Sequence, residues 1–217
     1  MTIRAVVFDF DGLILDTEWP LFVAWQETYR RHGGELTADE WSAIVGTVGH
    51  DPSEALKIVA AEPFDPATVR EATWERAREL IKGEAVLPGI ETWLADAARL
   101  GLGIAVASSG SIEWVEGHLH RLELRHHFHA VRCHGEDLAA KPAPDLYLAA
   151  AAALGVDPTE AVAVEDSPTG IAAAKAAGLF CVAVPNRLTV GQDLSAADLL
   201  VASLADLALE DLVADSR

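Results

Sequence analysis

The sequence predicts a doubly wound parallel α/β sheet interrupted after its first strand by a helical insertion. Three observations predict it. A short apolar segment rich in β-branched residues, Ile3-Arg4-Ala5-Val6-Val7-Phe8, lies near the beginning of the chain. Four helical patterns follow it with no strand among them, and beyond Leu87-Pro88-Gly89 strand and helix alternate.

The first strand ends in Asp9-Phe10-Asp11-Gly12. On an extended segment Asp9 and Asp11 point to the same side with Phe10 turned away, and Gly12 lets the chain bend without a side chain in the way. Two like charges held this close repel, so one stays protonated unless a cation sits between them. Residues Trp19 to Arg31 then repeat apolar positions at helical spacing. Thr37-Ala38-Asp39-Glu40 is a capping box, and Asp51-Pro52 and Asp65-Pro66 each supply an N-cap followed by proline at the first helical position. Trp19, Trp25, Trp41 and Trp74 fall in these helices, and Trp25 and Trp41 are expected to form the insertion's own core. The insertion therefore spans residues 17–84, within a core made of residues 1–16 and 85–217.

The alternating part gives strands at Gly103–Ala107, Ala130–Cys133, Glu160–Val164, Phe180–Val184 and Leu199–Val201. The helices between and after them are expected at Ile112–Leu122, Pro144–Leu154, Pro168–Ala177 and Leu204–Leu212. In such sheets ligands bind at the carboxyl ends of the strands, near a topological switch point.

Composition narrows the function. The 217 residues carry 34 acidic and 16 basic side chains, a formal charge of −18. That surface repels nucleic acid and anionic lipid, so neither is an expected partner. It also repels a phosphorylated metabolite, so an anionic substrate needs locally placed cations or a metal. Cys133 and Cys181 form no CxxC pair and are expected to be reduced, buried thiols. There is no basic leader with a cleavable apolar stretch, and no run approaches the roughly 18 apolar residues of a membrane span. The expectation is a soluble, cytoplasmic protein, monomeric in the simplest case.

The residues at the strand ends carry the chemistry. After the first strand come Asp9 and Asp11. After the strand at 103–107 come Ser108-Ser109-Gly110-Ser111, whose hydroxyls and N–H groups can cradle a phosphate at a helix start. Glu165 and Asp166 follow Ala163-Val164, with Ser167-Pro168 capping the next helix. Lys141 precedes Pro142 and is held extended. Four carboxylates, a serine-rich turn and one lysine thus converge on one edge of the sheet. An oxygen-only carboxylate cluster favours Mg²⁺, a hard cation.

With these residues in order, the chain resembles the haloacid dehalogenase-like superfamily, in the subfamily with a helical cap after the first strand. It is similar there to beta-phosphoglucomutase-like and sugar-phosphatase-like proteins. The motifs that carry the resemblance are DFDG with DTE, VASSG, AKPAPD and VEDSPTGI. The resemblance spans essentially the whole chain and implies a Rossmann-like core with an inserted cap. By it, Asp9 is the nucleophile that becomes an aspartyl-phosphate, and Asp11 the general acid/base. Ser108, Ser109, Gly110 and Gly12 bind the phosphate, and Lys141 pairs with phosphate and Asp9. Mg²⁺ is held by Asp9, the Asp11 carbonyl and Asp166, with Glu165 as a ligand or behind one. The second aspartate, Asp11, separates phosphoryl transfer from haloacid dehalogenation.

The implied reaction is hydrolysis of a small organic phosphate monoester, such as a sugar phosphate. The alternative is a sugar-phosphate mutase, an isomerase using the same Asp9 chemistry. A more remote one is a non-catalytic regulatory relative. In the mutases of this superfamily a cap histidine and a cap arginine orient the sugar. Here the first matching position is Leu21, and the second region reads Gly46-Thr47-Val48-Gly49-His50, without arginine, which favours a phosphatase. His50 either faces substrate or, as is commoner for a lone histidine in such a loop, is simply solvated. Six of the eight histidines lie between His118 and His134, and no cysteine or carboxylate joins them at zinc-site spacing. Pro185-Asn186-Arg187-Leu188-Thr189 either approaches the phosphate site or forms a surface turn.

Overall fold

The structure is a computed structural model that describes residues 2–43, 51–135 and 137–215. Among the described residues six strands build one sheet: β1 Ala5–Phe8, β2 Gly103–Ser108, β3 Ala130–Cys133, β4 Ala161–Glu165, β5 Phe180–Ala183 and β6 Leu199–Leu200. Their order is β3-β2-β1-β4-β5-β6 and every pairing is parallel. From β1 the chain winds one way through β2 and β3, then returns to β4 on the other side of β1 and continues outward. The switch point lies between β1 and β4, and a ligand crevice is expected at their carboxyl ends.

The inner strands β1, β2, β4 and β5 are mostly apolar on both faces because helices cover both. The two faces differ in bulk. Val6, Phe8, Ile104, Val106, Val162, Val164 and Val182 point to one side. There they pack on α5 (Ile90–Leu100), α6 (Ile112–Arg121) and α9 (Leu209–Asp215). The opposite face is mostly alanine: Ala5, Ala105, Ala107, Ala161, Ala163 and Ala183. Over it lie α7 (Asp145–Leu154) and α8 (Pro168–Ala177), themselves rich in alanine.

Between β1 and α5 come α1 Glu18–Arg31, α2 Ala38–Ser42, α3 Pro52–Val59 and α4 Pro66–Ile81. Their starts follow the sequence signals. Thr37 and Glu40 form the capping box, Asp51 accepts from the Ser53 N–H, and Asp65 accepts from the Thr68 N–H. These helices share a cluster of Phe22, Trp25, Tyr29, Trp41 and Leu56. A buried hydroxyl pair, Thr28 and Thr73 at 2.9 Å, and a two-pronged Arg76–Glu27 ion pair join α1 to α4. Where the chain leaves and re-enters the core, Leu15 bridges Val86 and the Leu87 N–H donates to the Ile14 carbonyl at 3.0 Å.

Beyond one-residue differences at strand ends such as Glu160, Val184 and Val201, the structure departs from the sequence reading as follows. Ser108 and Glu165 belong to their strands, paired with Cys133 and Ala183, rather than standing just past them. The helix α5 is an element the periodicity reading does not name. The expected helix at Leu204–Leu212 is broken: a short 3₁₀ turn ends at Asp206, Leu207 is extended, and α9 begins at Leu209. The Trp93 indole N–H donates to the Leu207 carbonyl at 2.8 Å and takes that carbonyl out of the helical ladder. Cys181 is buried as expected, whereas Cys133 is only half-buried, and both thiols are free. Among the described residues no helix is long and apolar enough to cross a membrane.

Candidate active site

The end of β1 sets the geometry. The Asp9 N–H donates to the Val164 carbonyl at 3.0 Å and carries the parallel ladder one residue past the strand, which delivers a buried Asp9 side chain to the switch point. Gly12 then turns the chain with φ +81°, a conformation that favours glycine. A Cβ there would stand 2.5 Å from Asp166 Oδ2 and 2.6 Å from Asn186 Nδ2, so the position lacks room for a side chain as well.

Behind Asp9 lies a buried charge network. The Lys141 ammonium donates to Asp9 Oδ1 and, at 2.6 Å, to Glu165 Oε1. Glu165 Oε1 also accepts from the Tyr147 hydroxyl at 2.6 Å, while Oε2 accepts from the Asp166 N–H at 3.2 Å and from Ser167 Oγ at 3.3 Å. Both oxygens of Glu165 are therefore engaged in holding the network together. The Lys141 backbone N–H donates to Ser109 Oγ at 3.2 Å, which ties this loop to the turn after β2.

Burial pushes the Asp9 carboxyl up to about 7, against the opposing pull of the Lys141 ammonium and with the Glu165 and Asp11 charges adding to the rise. Asp166 is held well above the usual carboxylate range by burial and by Asp9, Glu165 and Glu18. Burial pulls the Lys141 ammonium down, but Asp9 and Glu165 outweigh it and hold it above its ordinary value.

Asp9, Glu165 and Asp166 can each present an oxygen within 4.8 Å of the others. The donor set is oxygen-only and buried, and its carboxylates are crowded enough to resist ionising together. Those are the features that suit a hard divalent cation. The Asp11 carboxylate stands outside this group. Its Oδ1 accepts from Thr17 Oγ1 at 2.9 Å and from the Trp114 indole N–H at 2.8 Å, and its Oδ2 accepts from Ser108 Oγ at 3.3 Å.

The turn after β2 brings Ser108, Ser109 and Gly110 beside Asp11. The Gly110 N–H donates to Ser108 Oγ at 3.0 Å. A Cβ on Gly110 would lie 3.2 Å from Asp11 Oδ2, Ser108 Oγ and Trp114 Cδ1 alike, so backbone approaches the acid closely here. All the sequence-predicted site residues thus meet at one end of the sheet: Asp9, Asp11, Gly12, Ser108, Ser109, Gly110, Lys141, Glu165 and Asp166.

A cavity of about 450 Å³ opens beside them. Asp11, Ser109, Gly110 and Trp114 line it from the core. Glu18, Leu21, Trp74 and Arg78 line it from α1 and α4. Burial, with the charges of Asp11, Asp16 and Asp9, pushes the Glu18 carboxyl up to about 8. Leu21 is among the residues that line the cavity. The Gly46–His50 region lies outside the described residues, and Arg78 of α4 is among the residues lining the cavity.

Tyr147, Trp114 and Arg78 are not singled out by the sequence and reach the site by tertiary packing, whereas Glu18 of the DTE motif and Trp74 are named there without a site role. Asn186 has a positional signal, following β5. Its Nδ2 donates to Asp166 Oδ2 at 2.7 Å and to the Gly12 carbonyl at 3.2 Å, which decides between the two readings of that turn. The histidines of 118–134 serve different neighbours: His118 packs edge-on to Trp114, His129 Nδ1 accepts from the Ile104 N–H, and His134 bonds the Leu138 carbonyl.

Residues 3–178 match the haloacid dehalogenase-like hydrolase family. The chain is 40% identical over 188 residues to the Bacillus subtilis (strain 168) protein named "Putative phosphatase YhcW", covering 86% of each. It is 33% identical over 180 residues to fructose-1-phosphate phosphatase YqaB of Escherichia coli (strain K12), covering 82% of this chain and 95% of that one. It is also 32% identical over 215 residues to beta-phosphoglucomutase of Bacillus subtilis (strain 168), covering 95% and 92%.

Proposed function

This chain belongs to the haloacid dehalogenase-like hydrolase family, and from that premise we propose that it is a Mg²⁺-dependent phosphatase of small phosphate monoesters of the sugar-phosphate class. The observation that carries the reading is the pairing of two aspartates with opposite surroundings. Asp9 is buried against Lys141, while Asp11, two residues on, is held by neutral donors at the cavity. One is placed to be a nucleophile and the other to move a proton.

In the first step an Asp9 carboxylate oxygen bonds to phosphorus as the ester P–O bond breaks. The electron pair leaves on the alcohol oxygen, which takes a proton from Asp11. In the second, water attacks the same phosphorus and gives a proton to Asp11, and the bond to Asp9 breaks to release phosphate and restore the carboxylate. Lys141 orients Asp9 and places positive charge beside the transferring group. The Ser108 hydroxyl and the turn at Ser109 and Gly110 bind phosphate oxygens. Gly12 gives the chain the close approach this arrangement needs.

Asp9, Asp166 and the Asp11 carbonyl would hold Mg²⁺, with Glu165 behind them because its oxygens already serve Lys141, Tyr147 and Asp166. When bound, the ion supplies positive charge that lets crowded carboxylates and phosphate oxygens coexist. Residues 17–84 act as the cap over a core of 1–16 and 85–217, and the cavity between them receives the alcohol portion of the ester.

Relatives of similar identity are named for phosphatase and for mutase, so the cavity wall is what favours hydrolysis. At position 21 a leucine offers no polar group to orient a sugar for return of the phosphoryl group, although Glu18 and Arg78 on the same wall do carry charge. The test is a panel of phosphate monoesters that includes β-glucose 1-phosphate, with both products followed. Inorganic phosphate is expected to accumulate, chelator to abolish turnover, and a folded Asp9→Asn protein to be inactive. Glucose 6-phosphate formed with little free phosphate, after priming with a bisphosphate, would establish the mutase. Full activity of Asp9→Asn would remove the nucleophile assignment.

A further inference from the structure

We propose that Trp114 is a positioning residue for proton transfer: its indole N–H decides which oxygen of Asp11 carries the mobile proton. This rests on the phosphatase reading above. Asp11 Oδ1 accepts two hydrogen bonds, from Trp114 Nε1 at 2.8 Å and Thr17 Oγ1 at 2.9 Å. Those donors occupy the acceptor capacity of Oδ1, and protonating it would break one of them. Asp11 Oδ2 has a longer contact, 3.3 Å, from Ser108 Oγ, and it faces the turn that binds phosphate. Oδ2 is therefore the oxygen that exchanges the proton with the leaving alcohol and then with water.

The indole is itself held. Its helix starts at a Ser111 N-cap that accepts the Trp114 N–H at 3.2 Å, and its ring lies edge-on to His118 with centroids 4.3 Å apart. A side chain at Gly110 would crowd both partners, since a Cβ there would lie 3.2 Å from Trp114 Cδ1 and from Asp11 Oδ2. Trp114 also walls the cavity, so the ring that packs against the alcohol portion is the same ring that aims the acid. Neither role is visible in the sequence motifs, because Trp114 lies 103 residues from Asp11.

Trp114→Phe separates the two roles by keeping a ring and removing the N–H. An alkyl phosphate such as glycerol phosphate needs a proton on its leaving oxygen, and its kcat is expected to fall about 10- to 100-fold with KM changed less than about threefold. For p-nitrophenyl phosphate the leaving group departs without that proton, so the pre-steady-state burst of nitrophenolate should stay within about twofold of wild type. Trp114→Gln, which returns an N–H donor, should recover part of the alkyl-ester rate. Equal losses in the burst and in alkyl-ester turnover, or unchanged alkyl-ester turnover in Trp114→Phe, would overturn the assignment while leaving the phosphatase reading intact. A wild-type protein that releases phosphate from no ester and shows no burst would overturn both.

Discussion

The side-chain amide of Asn186 donates to Asp166 Oδ2 at 2.7 Å and to the Gly12 carbonyl at 3.2 Å. One amide therefore closes the loops after β1, β4 and β5 over a single carboxylate. Its Oδ1 at the same time accepts from the Leu188 and Thr189 N–H groups and holds its own turn. Groups that orient a metal-binding carboxylate typically set affinity by a factor of about 10–100. Asn186→Ala should weaken Mg²⁺ binding by that order, read by calorimetric titration. Asn186→Asp keeps the turn through Oδ1 but sets another negative charge beside the site, and should raise KM for an anionic phosphate ester.

Lys141 is the cation between two buried carboxylates. Lys141→Met would leave Asp9 and Glu165 facing each other uncompensated, and breaking a buried pair in this way costs about 3–5 kcal/mol. Urea denaturation should show that loss, and turnover should vanish. Adding Glu165→Gln should recover part of the stability and none of the activity.

Two glycines should respond oppositely to alanine. At Gly12 the positive φ and the 2.5 Å approach to Asp166 Oδ2 make Gly12→Ala destabilising by about 1–3 kcal/mol, with at least tenfold loss of turnover. Gly117 lies within α6, where an added methyl would meet nothing within 4 Å, and Gly117→Ala should stabilise by about 0.5–1 kcal/mol with activity unchanged.

Stability should fall as pH rises in the metal-free protein. Asp9 and Glu18 are pushed from ordinary values of 3.8 and 4.5 to about 7 and about 8. Their contribution is fully present below the unfolded values and is lost as pH rises through the folded ones, because the folded state holds the extra protons between them. Melting temperature without metal should drop between about pH 5 and pH 8.5. Glu18→Gln should flatten that slope, and Mg²⁺ should add more stability at the upper pH than at the lower. A slope of opposite sign would show these carboxyls to be ionised throughout.

Much of the core was legible because its signals are local. β-branched runs mark the strands, and Ser-Pro and Asp-Pro pairs mark helix starts, as Ser167 and Asp65 show by accepting the N–H groups of Gly170 and Thr68. The acidic and serine-rich strand ends then fall together because parallel strands present their carboxyl ends on one edge. What escaped depends on distant partners. The break at Leu207 needs the Trp93 indole, and the reach of Tyr147 to Glu165 needs a helix seated on the sheet. The cavity's Trp74 and Arg78 belong to a helix with a polar, weakly patterned surface, where sequence spacing distinguishes no pocket from open solvent.

The alanine face of the sheet carries a consequence for how this chain tolerates change. Small side chains at Ala105 and Ala107 keep α7 low over the strands, and that clearance sets how far the Tyr147 phenol extends toward Glu165. Enlarging Ala107 to leucine would act as a shim: overpacking of about 1–3 kcal/mol would raise the helix and withdraw the hydroxyl from the anchor of Lys141. Activity would be lost from the rear of the molecule with every reactive group intact. Methyl-sized positions there are gauge blocks for the chemistry in front, and their constraint is one of thickness rather than of polarity.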